Sequence, residues 1–178
     1  GPDDSDPVTV TVAVADASGA FLYNGTRYVR IADDLTLEQA RLDAAALGGT
    51  LLRIEDLAEN EFVFNAFYDG TAAIRLDGSD EATEGTWIDS GGTPLTFFNW
   101  LPGEPNNANG VQDWAWMQGP NGEWGDHAKN GAGIFDGGGW GPSGPEITIV
   151  EIPDVPGGLP PVAQDDAFEL FLANGDAS

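Results

Sequence analysis

The residues best suited to chemistry lie close together in residues 100–126 of this 178-residue chain. Carboxylate and amide side chains, all of which carry oxygen atoms, are interspersed there with tryptophans: Glu104, Asn106, Asn107, Gln112, Asp113 and Asp126. A hard cation such as Ca²⁺ takes about six to eight oxygen ligands from carboxylates, amide carbonyls and the backbone. We therefore predict a cation-binding loop, which the rest of the chain must hold in place.

The charge balance narrows the possible partners. The chain has 30 acidic and six basic residues, a formal charge of −24. Nucleic acids and anionic membranes are bound through basic patches, so neither is expected as a partner. An acidic surface suits a medium rich in divalent cations, and it equally suits a surface kept acidic for solubility. No apolar run reaches the ~18 residues of a spanning helix, so no membrane insertion is expected.

The chemistry of the side chains also excludes several mechanisms. The absence of cysteine excludes disulfides, zinc thiolates and thiol catalysis. The single histidine, His127, leaves only one possible centre for a serine-type triad, and no G-x-S-x-G motif accompanies it. We expect His127 to be a surface residue.

The elements that must position the loop begin with a hairpin and two helices. Strands are predicted at residues 20–23 and 26–31, on either side of an Asn24-Gly25 turn. A helix is predicted to start at an N-cap Thr36 and to stop at Gly48-Gly49. A second helix over residues 56–68 is capped by Asp56. Further strands are predicted at residues 50–54, 73–76, 86–88, 95–98, 114–117 and 147–152.

The remaining segments surround this core. A glycine-rich insertion over residues 130–145 is interpreted either as a binding loop carrying Trp140 or as a surface excursion. Residues 1–19 read as a linker and a strand, and residues 153–178 as a Pro/Gly linker followed by the start of a new pattern. The central domain is predicted to span residues 20–152. Gly1-Pro2 resembles a protease-cleavage scar, so we expect the natural chain to extend further.

Three segments carry a resemblance to a known family. They are A-L-G-G-T-L-L-R-I-E-D-L-A-E-N-E-F-V-F at residues 46–64, D-E-A-T-E-G-T-W at residues 80–87 and F-N-W-L-P-G-E-P-N-N at residues 98–107. With W-G-D at residues 124–126, they resemble a C-type lectin-like domain over roughly residues 21–152. The resemblance implies an α+β fold, in which two helices flank a small antiparallel sheet with a long calcium-binding loop region.

The resemblance also implies a principal Ca²⁺ site. Its ligands would be Glu104, Asn106, Gln112 and Asp126, with a cis peptide bond before Pro105. Two positions depart from the family pattern, because Gln112 stands where the family has Glu and Gly125 stands where it has Asn. The site therefore loses one charge and one side-chain ligand, which should weaken calcium binding.

An auxiliary Ca²⁺ site is implied beside the first. Its positions match Asp80, Glu84, Asn107 and Asp113, with Asn107 replacing a common Asp. A cation there would pre-organise the principal site by reducing the ordering that binding requires.

The family's usual disulfides are absent. Their positions fall near Ala46 and Val150 and at Trp114 and Lys129. Packing, including that of Trp114, and bound calcium are expected to hold the loops instead.

The function implied is calcium-dependent carbohydrate binding to vicinal hydroxyls of the mannose, glucose or fucose type. Glu104, Asn106, Gln112 and Asp126 would bind the ligand, and Trp116 or Trp140 would cover the apolar face of the sugar. Trp100 and Trp124 are expected in the core. The alternatives are a peptide-, protein- or ice-binding module on the same scaffold, and a spacer that calcium stiffens.

An enzyme is not expected. Glu104 with Asp126, or Asp80 with Glu84, could be imagined as a glycosidase pair. The same oxygens are better explained as cation ligands, because they cluster where the family binds Ca²⁺.

The flanking segments suggest the setting. The tail that begins P-V-A-Q-D-D-A-F-E-L resembles the opening strand of immunoglobulin-like repeats in large bacterial surface adhesins. We expect a monomeric module within a larger RTX-type adhesin, outside the cell at the bacterial surface. Its partners would be glycans on a host, algal or other cell surface.

Overall fold

The structure is a computed structural model that describes residues 19–33, 35–70, 72–128 and 146–153. Two α-helices, one 3₁₀ turn and seven strands lie within these ranges. In chain order they are β1 (Phe21–Tyr23), β2 (Thr26–Asp33), α1 (Leu37–Ala46), β3 (Thr50–Leu51), α2 (Leu57–Phe67), β4 (Ala73–Ser79), the 3₁₀ turn (Ala108–Gly110), β5 (Trp114–Met117), β6 (Trp124–His127) and β7 (Glu146–Pro153). The predicted features over residues 8–15, 130–145 and 154–178 lie outside the described residues.

Local sequence signals set the helix starts as predicted. The Thr36 hydroxyl accepts a hydrogen bond from the Gln39 amide at 3.2 Å, and the Asp56 carboxylate accepts one from the Glu59 amide at 2.9 Å. Each cap satisfies a backbone donor that the first turn of the helix leaves without a partner. The Asn24-Gly25 turn is also confirmed, with both residues at positive φ as a two-residue hairpin loop requires.

The strands form one mixed sheet in the order β1-β2-β7-β4-β5-β6, with β3 paired to β7. All pairs are antiparallel except β4 with β7. The predicted α+β architecture with two helices is confirmed, although the sheet is larger than the small antiparallel one expected. Strand β6, which carries the W-G-D motif, ends the order; it pairs with β5, and its first residue, Trp124, also bridges to Trp100.

Two apolar clusters cover the sheet. One gathers α2 residues with Trp124, Met117 and Ile147, and the other gathers α1 residues with Trp114 and Trp116. The Arg41 guanidinium lies 5.6 Å from the Trp114 ring centroid, an arrangement that favours cation–π attraction. Trp114 therefore packs α1 against β5, as expected for a chain without disulfides.

Some predicted strands are shorter or absent. Strand β3 ends at Leu51 rather than at residue 54, although the Leu52 amide still donates to the Ile149 carbonyl. Residues 86–88 and 95–98 form no strands; Ile88 only makes isolated bridges to Ser79 and Pro94. Strand β6 was not predicted, because a glycine and a carboxylate in four residues resemble a loop. No helix in the described ranges is long and apolar enough to cross a membrane.

Asn60 joins helix α2 to the start of β6. The side chain is fully buried, its Nδ2 donates to the Gly122 carbonyl at 3.1 Å, and its Oδ1 accepts from the Trp124 indole Nε1 at 2.7 Å. The Asn60 side chain thus links α2 directly to the strand that holds the W-G-D motif.

We predict that Asn60→Ala lowers the free energy of unfolding by about 2–3 kcal/mol, because it leaves the buried Trp124 N–H without an acceptor and opens a cavity. Urea denaturation measures the loss. The matched control is Asn65→Ala, which removes an exposed amide from the same helix and should change stability by less than about 1 kcal/mol. Equal losses in the two variants would contradict the role given to Asn60.

Two carboxyl groups, the buried Glu59 in the first turn of α2 and the partly buried Glu151 in β7, accept hydrogen bonds from the core. The Arg53 amide donates to Glu151 Oε1, while the Tyr28 hydroxyl donates to Glu59 Oε1. Burial, reinforced by the charges of Glu59, Glu55 and Asp77, raises the pKa of Glu151 from 4.5 to about 8. Burial also raises the pKa of Glu59. At neutral pH the folded protein therefore holds a proton on Glu151 that the unfolded chain releases.

The consequence is a stability that declines as the pH rises. Between about pH 4.5 and pH 8 the folded state binds more protons than the unfolded state, so the free energy of unfolding should fall by a few kcal/mol. Glu151→Gln keeps an acceptor for Arg53 and should make this decline shallower. Urea titrations at pH 5, 6.5 and 8 in metal-free buffer test this, with the exposed Glu61→Gln as control. An unchanged slope in Glu151→Gln would contradict the assignment.

Candidate ligand-binding site

The oxygen-rich loop is anchored at its base by tryptophans. The Leu101 amide donates to the Trp124 carbonyl at 2.8 Å, and the Trp124 amide donates to the Asn99 carbonyl at 2.7 Å. The Trp100 ring packs against those of Trp87 and Trp124, with centroids 4.7 and 5.7 Å away. Trp124 is buried and Trp100 is partly buried against the same core, as expected.

The structure brings three of the predicted principal ligands together. The Glu104–Pro105 bond is cis, as the resemblance implied. Asn106 Nδ2 donates to Glu104 Oε1 at 2.9 Å, so one carboxylate and one amide lie side by side at the loop surface. The Asn106 backbone amide donates to Asp126 Oδ1 at 2.9 Å, which joins this pair to β6.

Asp126 makes a second contact between β6 and the loop. Its side chain is buried, and its second oxygen, Oδ2, accepts from the Asn107 amide at 2.7 Å. Both carboxylate oxygens thus bind successive backbone N–H groups of the loop. Charge-assisted bonds of this kind are stronger than bonds between neutral groups.

Gln112 lies inside the loop rather than at its surface. The residue is 1% exposed, and its Oε1 accepts from the Ala108 amide at 2.7 Å. The Gln112 backbone amide in turn donates to Asn107 Oδ1 at 3.2 Å. The side chain therefore closes the 3₁₀ turn, and its carbonyl oxygen already binds one donor.

The predicted auxiliary residues also lie near one another. Asn107 Nδ2 donates to Glu84 Oε2, and the Asp80 amide donates to the Asp113 carbonyl at 3.1 Å. Asp80 Oδ2 accepts from the Gly85 amide at 2.8 Å. The other oxygen of Asp80, Oδ1, is buried and has no hydrogen-bond partner among the described residues.

The electrostatics of this group favour a positive charge. Burial, with the charge of Asp126, raises the pKa of Asp80. Burial and the charges of Asp80, Glu81 and Asp126 raise the pKa of Asp113. Loss of hydration and the charges of Asp80 and Asp113 raise that of Glu84. These carboxylates repel one another, and a bound cation would relieve the repulsion.

The carboxylate and amide oxygens of this region are of the kind that calcium binds, but the carboxylates alone do not form a complete coordination sphere. Within the described ranges, no three His, Cys, Asp or Glu side chains are placed to hold a metal ion by themselves. Amide, backbone or water oxygens must therefore complete any coordination sphere. The buried Asp80 Oδ1 is the observation that best fits a cation, since a buried carboxylate oxygen requires a partner.

Trp116 does not belong to the ligand site, contrary to the sequence prediction. It is 0% exposed, and the Arg75 guanidinium covers its ring at 4.6 Å from the centroid. Its position in β5 directs it into the α1 cluster, where no sugar reaches it. Trp140, the other aromatic considered, lies outside the described residues.

His127 is buried rather than at the surface, which also corrects the prediction. It is 7% exposed, and its Nε2 lies 2.7 Å from Gln118 Oε1. A Cβ at Gly125 would lie 2.4 Å from Gln118 Nε2. Gln118 therefore fills the place of the side chain that Gly125 lacks. Sequence reasoning missed Gln118; the unusual glycine in the W-G-D motif was the available signal.

Comparison with known families agrees with this geometry. The model of the Lectin C-type domain matches residues 33–131, more than half of the chain. The chain belongs to the C-type lectin domain family, which confirms the resemblance seen in its motifs.

Known relatives and solved structures extend the comparison. Pulmonary surfactant-associated protein D of Bos taurus is 36% identical over 91 residues, which are 51% of this chain and 24% of that protein. The carbohydrate-recognition domain of the mouse scavenger receptor C-type lectin has a TM-score of 0.62 at 18% identity, covering 76% of this chain and 96% of that one. The match thus spans about a quarter of the curated relative.

Two further structures share the fold. The cow CD23 carbohydrate-recognition domain, solved in the presence of a GlcNAc2Man3 oligosaccharide, has a TM-score of 0.61 at 21% identity, covering 82% of this chain and 100% of that one. A calcium-independent type II antifreeze protein has a TM-score of 0.62 at 19% identity, with coverages of 82% and 98%. The relatives are binding proteins, which confirms the prediction that the chain is not an enzyme.

The close approach of Gln118 to Gly125 can be tested by a double-mutant cycle. Gly125→Ala places a Cβ against Gln118 Nε2, which displaces the Gln118 side chain and its Oε1 from His127, whereas in a Gln118→Ala background the Cβ meets no amide. We expect the effect of Gly125→Ala on the free energy of unfolding to differ by about 1 kcal/mol between the two backgrounds. Effects that add within about 0.3 kcal/mol would contradict the contact.

Proposed function

We propose that this C-type lectin domain binds glycans through calcium, recognising a pair of vicinal hydroxyls of the mannose, glucose or fucose type. The observation that carries the proposal is the contact between Glu104 and Asn106 at the loop surface, tied to Asp126 through the Asn106 amide. This arrangement offers one acceptor and one donor side by side next to a carboxylate.

The chemistry follows from these groups. Bound calcium would take two hydroxyl oxygens of the sugar among its oxygen ligands. The Glu104 carboxylate accepts a hydrogen bond from one hydroxyl, and the Asn106 amide donates to the other. Glu104, Asn106 and Asp126 supply the protein oxygens of the principal site. Gln112 contributes by shaping the loop, because its Oε1 is bonded to Ala108.

Several observations support calcium as the cation. The oxygen donors are carboxylates and amides, which suit a hard cation. Loss of hydration, followed by the negative charge of neighbouring carboxylates, raises the pKa values of Asp80, Glu84 and Asp113. The formal charge of −24 favours cation binding over the whole molecule. Asp80, Glu84, Asn107 and Asp113 form the proposed auxiliary site.

A second candidate is recognition of a peptide, a protein or ice by the same loop surface. It is favoured by the two departures from the family pattern, since Gly125 lacks a side chain and Gln112 is bonded within the loop. A protein of the same fold is a calcium-independent type II antifreeze protein, so the fold itself does not require calcium.

The biological setting is also a proposal. A cysteine-free, strongly acidic domain with linker-like flanks suits a monomeric module of a larger RTX-type repeat adhesin. Outside the cell, at the bacterial surface, external calcium at millimolar concentration would occupy even weak sites. The partners would then be glycans on a host, algal or other cell surface.

The central test compares sugar binding with calcium and with chelator. We expect mannose or fucose, or a glycan containing them, to bind only with calcium. Glu104→Gln should weaken binding at least about tenfold, because it removes a charged acceptor and a cation ligand. The control, Glu61→Gln, removes the same charge from the exposed face of α2 and should leave the dissociation constant unchanged. Calorimetric titration of the whole chain provides the measurement.

Two results would argue against the proposal. Equal sugar binding in calcium and in chelator would exclude the mechanism. Failure of all hydroxyl-rich ligands, combined with calcium-dependent binding to a peptide or with slowed ice growth, would favour the second candidate.

A further inference from the structure

We propose that the ligand loop keeps its binding conformation without any cation, because the amide side chains of Asn107 and Gln112 hold it in place. These two residues stand where the lectin pattern has acidic ligands. The inference deepens the proposed function, since it assigns the pre-organisation expected of an auxiliary calcium ion to the protein itself.

Gln112 fixes the centre of the loop. Its side-chain Oε1 accepts a hydrogen bond from the Ala108 backbone amide at 2.7 Å, and its backbone amide donates to Asn107 Oδ1 at 3.2 Å. The side chain is 1% exposed, so both bonds are shielded from water. A buried glutamate could accept the same N–H, but it would add a negative charge that must be neutralised.

Asn107 fixes the edge of the loop from three directions. Its Oδ1 accepts from the Gln112 backbone amide, its Nδ2 donates to Glu84, and its backbone amide donates to Asp126 Oδ2 at 2.7 Å. The residue adopts a φ of 43°, a region that asparagine tolerates better than most side chains. An aspartate here could not donate to Glu84 and would repel it.

The amide side chains of Asn107 and Gln112 therefore form hydrogen bonds where acidic side chains would add charge repulsion. Four carboxylate residues already lie around Asn107: its side chain donates to Glu84, its backbone amide donates to Asp126, and the Asp80 backbone amide donates to the Asp113 carbonyl. Acidic residues at positions 107 and 112 would add two negative charges, and only a bound cation could then bring the loop together. With amides at both positions the loop closes by itself, and calcium is needed for contact with the ligand rather than for loop conformation.

The test measures amide hydrogen exchange by NMR on the whole 178-residue chain. The reporters are the backbone amides of Asn106, Asn107 and Ala108, which donate to Asp126 and Gln112. In chelator, we expect each to exchange at least tenfold more slowly than in an unfolded chain. Exchange within tenfold of the unfolded rate would overturn the proposal.

A charge-restoring variant provides the second arm. In Asn107→Asp combined with Gln112→Glu, we expect the three amides to lose at least tenfold of their protection in chelator and to regain it with calcium. The control is Asn109→Asp, which adds a charge to an exposed position of the same loop and should keep its protection. Equal protection of the double variant and the natural chain in chelator would overturn the role of the amides.

Sugar binding in the same samples separates this inference from the proposed function. Protected amides in chelator, together with no sugar binding when calcium is present, would support the inference and remove the proposed function. Unprotected amides with calcium-dependent sugar binding would overturn the inference and leave the proposed function in place.

Discussion

The ligand loop depends on one carboxylate, that of Asp126, because it joins the loop to the sheet. Its two oxygens accept the Asn106 and Asn107 amides, and β6 holds Asp126 beside β5. Behind β6, the Trp124 indole is bonded to Asn60 of α2. A continuous path therefore runs from the helix through the edge strand to the loop. A displacement of β6 would move the loop backbone with it.

Negative charge with little hydration is the main constraint on the loop region. The pKa values of Asp80, Asp113 and Glu84 are raised, chiefly by loss of hydration and further by the charges of neighbouring carboxylates. Hydrogen bonds stabilise these carboxylates: the Gly85 backbone N–H donates to Asp80, and the Asn107 side-chain amide donates to Glu84. Neutral amides at positions 107 and 112 hold the loop without adding to the charge. The remaining carboxylates are then available to a cation at lower repulsion.

Much of the fold was predictable because its signals are local. The caps at Thr36 and Asp56 and the Asn24-Gly25 turn each depend on residues within a few positions. The grouping of Glu104, Asn106 and Asp126 was predictable from motifs alone. The burial of Trp116 was not, because it depends on which face of β5 meets the α1 cluster. The same holds for His127 and Gln118, whose contact arises from the pairing of β5 with β6.

Because the chain has no disulfides, aromatic and charged side chains must hold together the face of the sheet that packs against α1. Arg41 covers Trp114, while Arg75 covers Trp116 and forms a buried ion pair with Glu146 at 2.6 Å. The ion pair joins β4 to the start of β7, because Ala73 and Glu146 are partners in the parallel register. Removing one member of such a pair strands a buried charge, which costs about 3–5 kcal/mol. The central strands are thus held by side-chain contacts. Strand β6, and with it Asp126, is held in turn by its backbone pairing with β5.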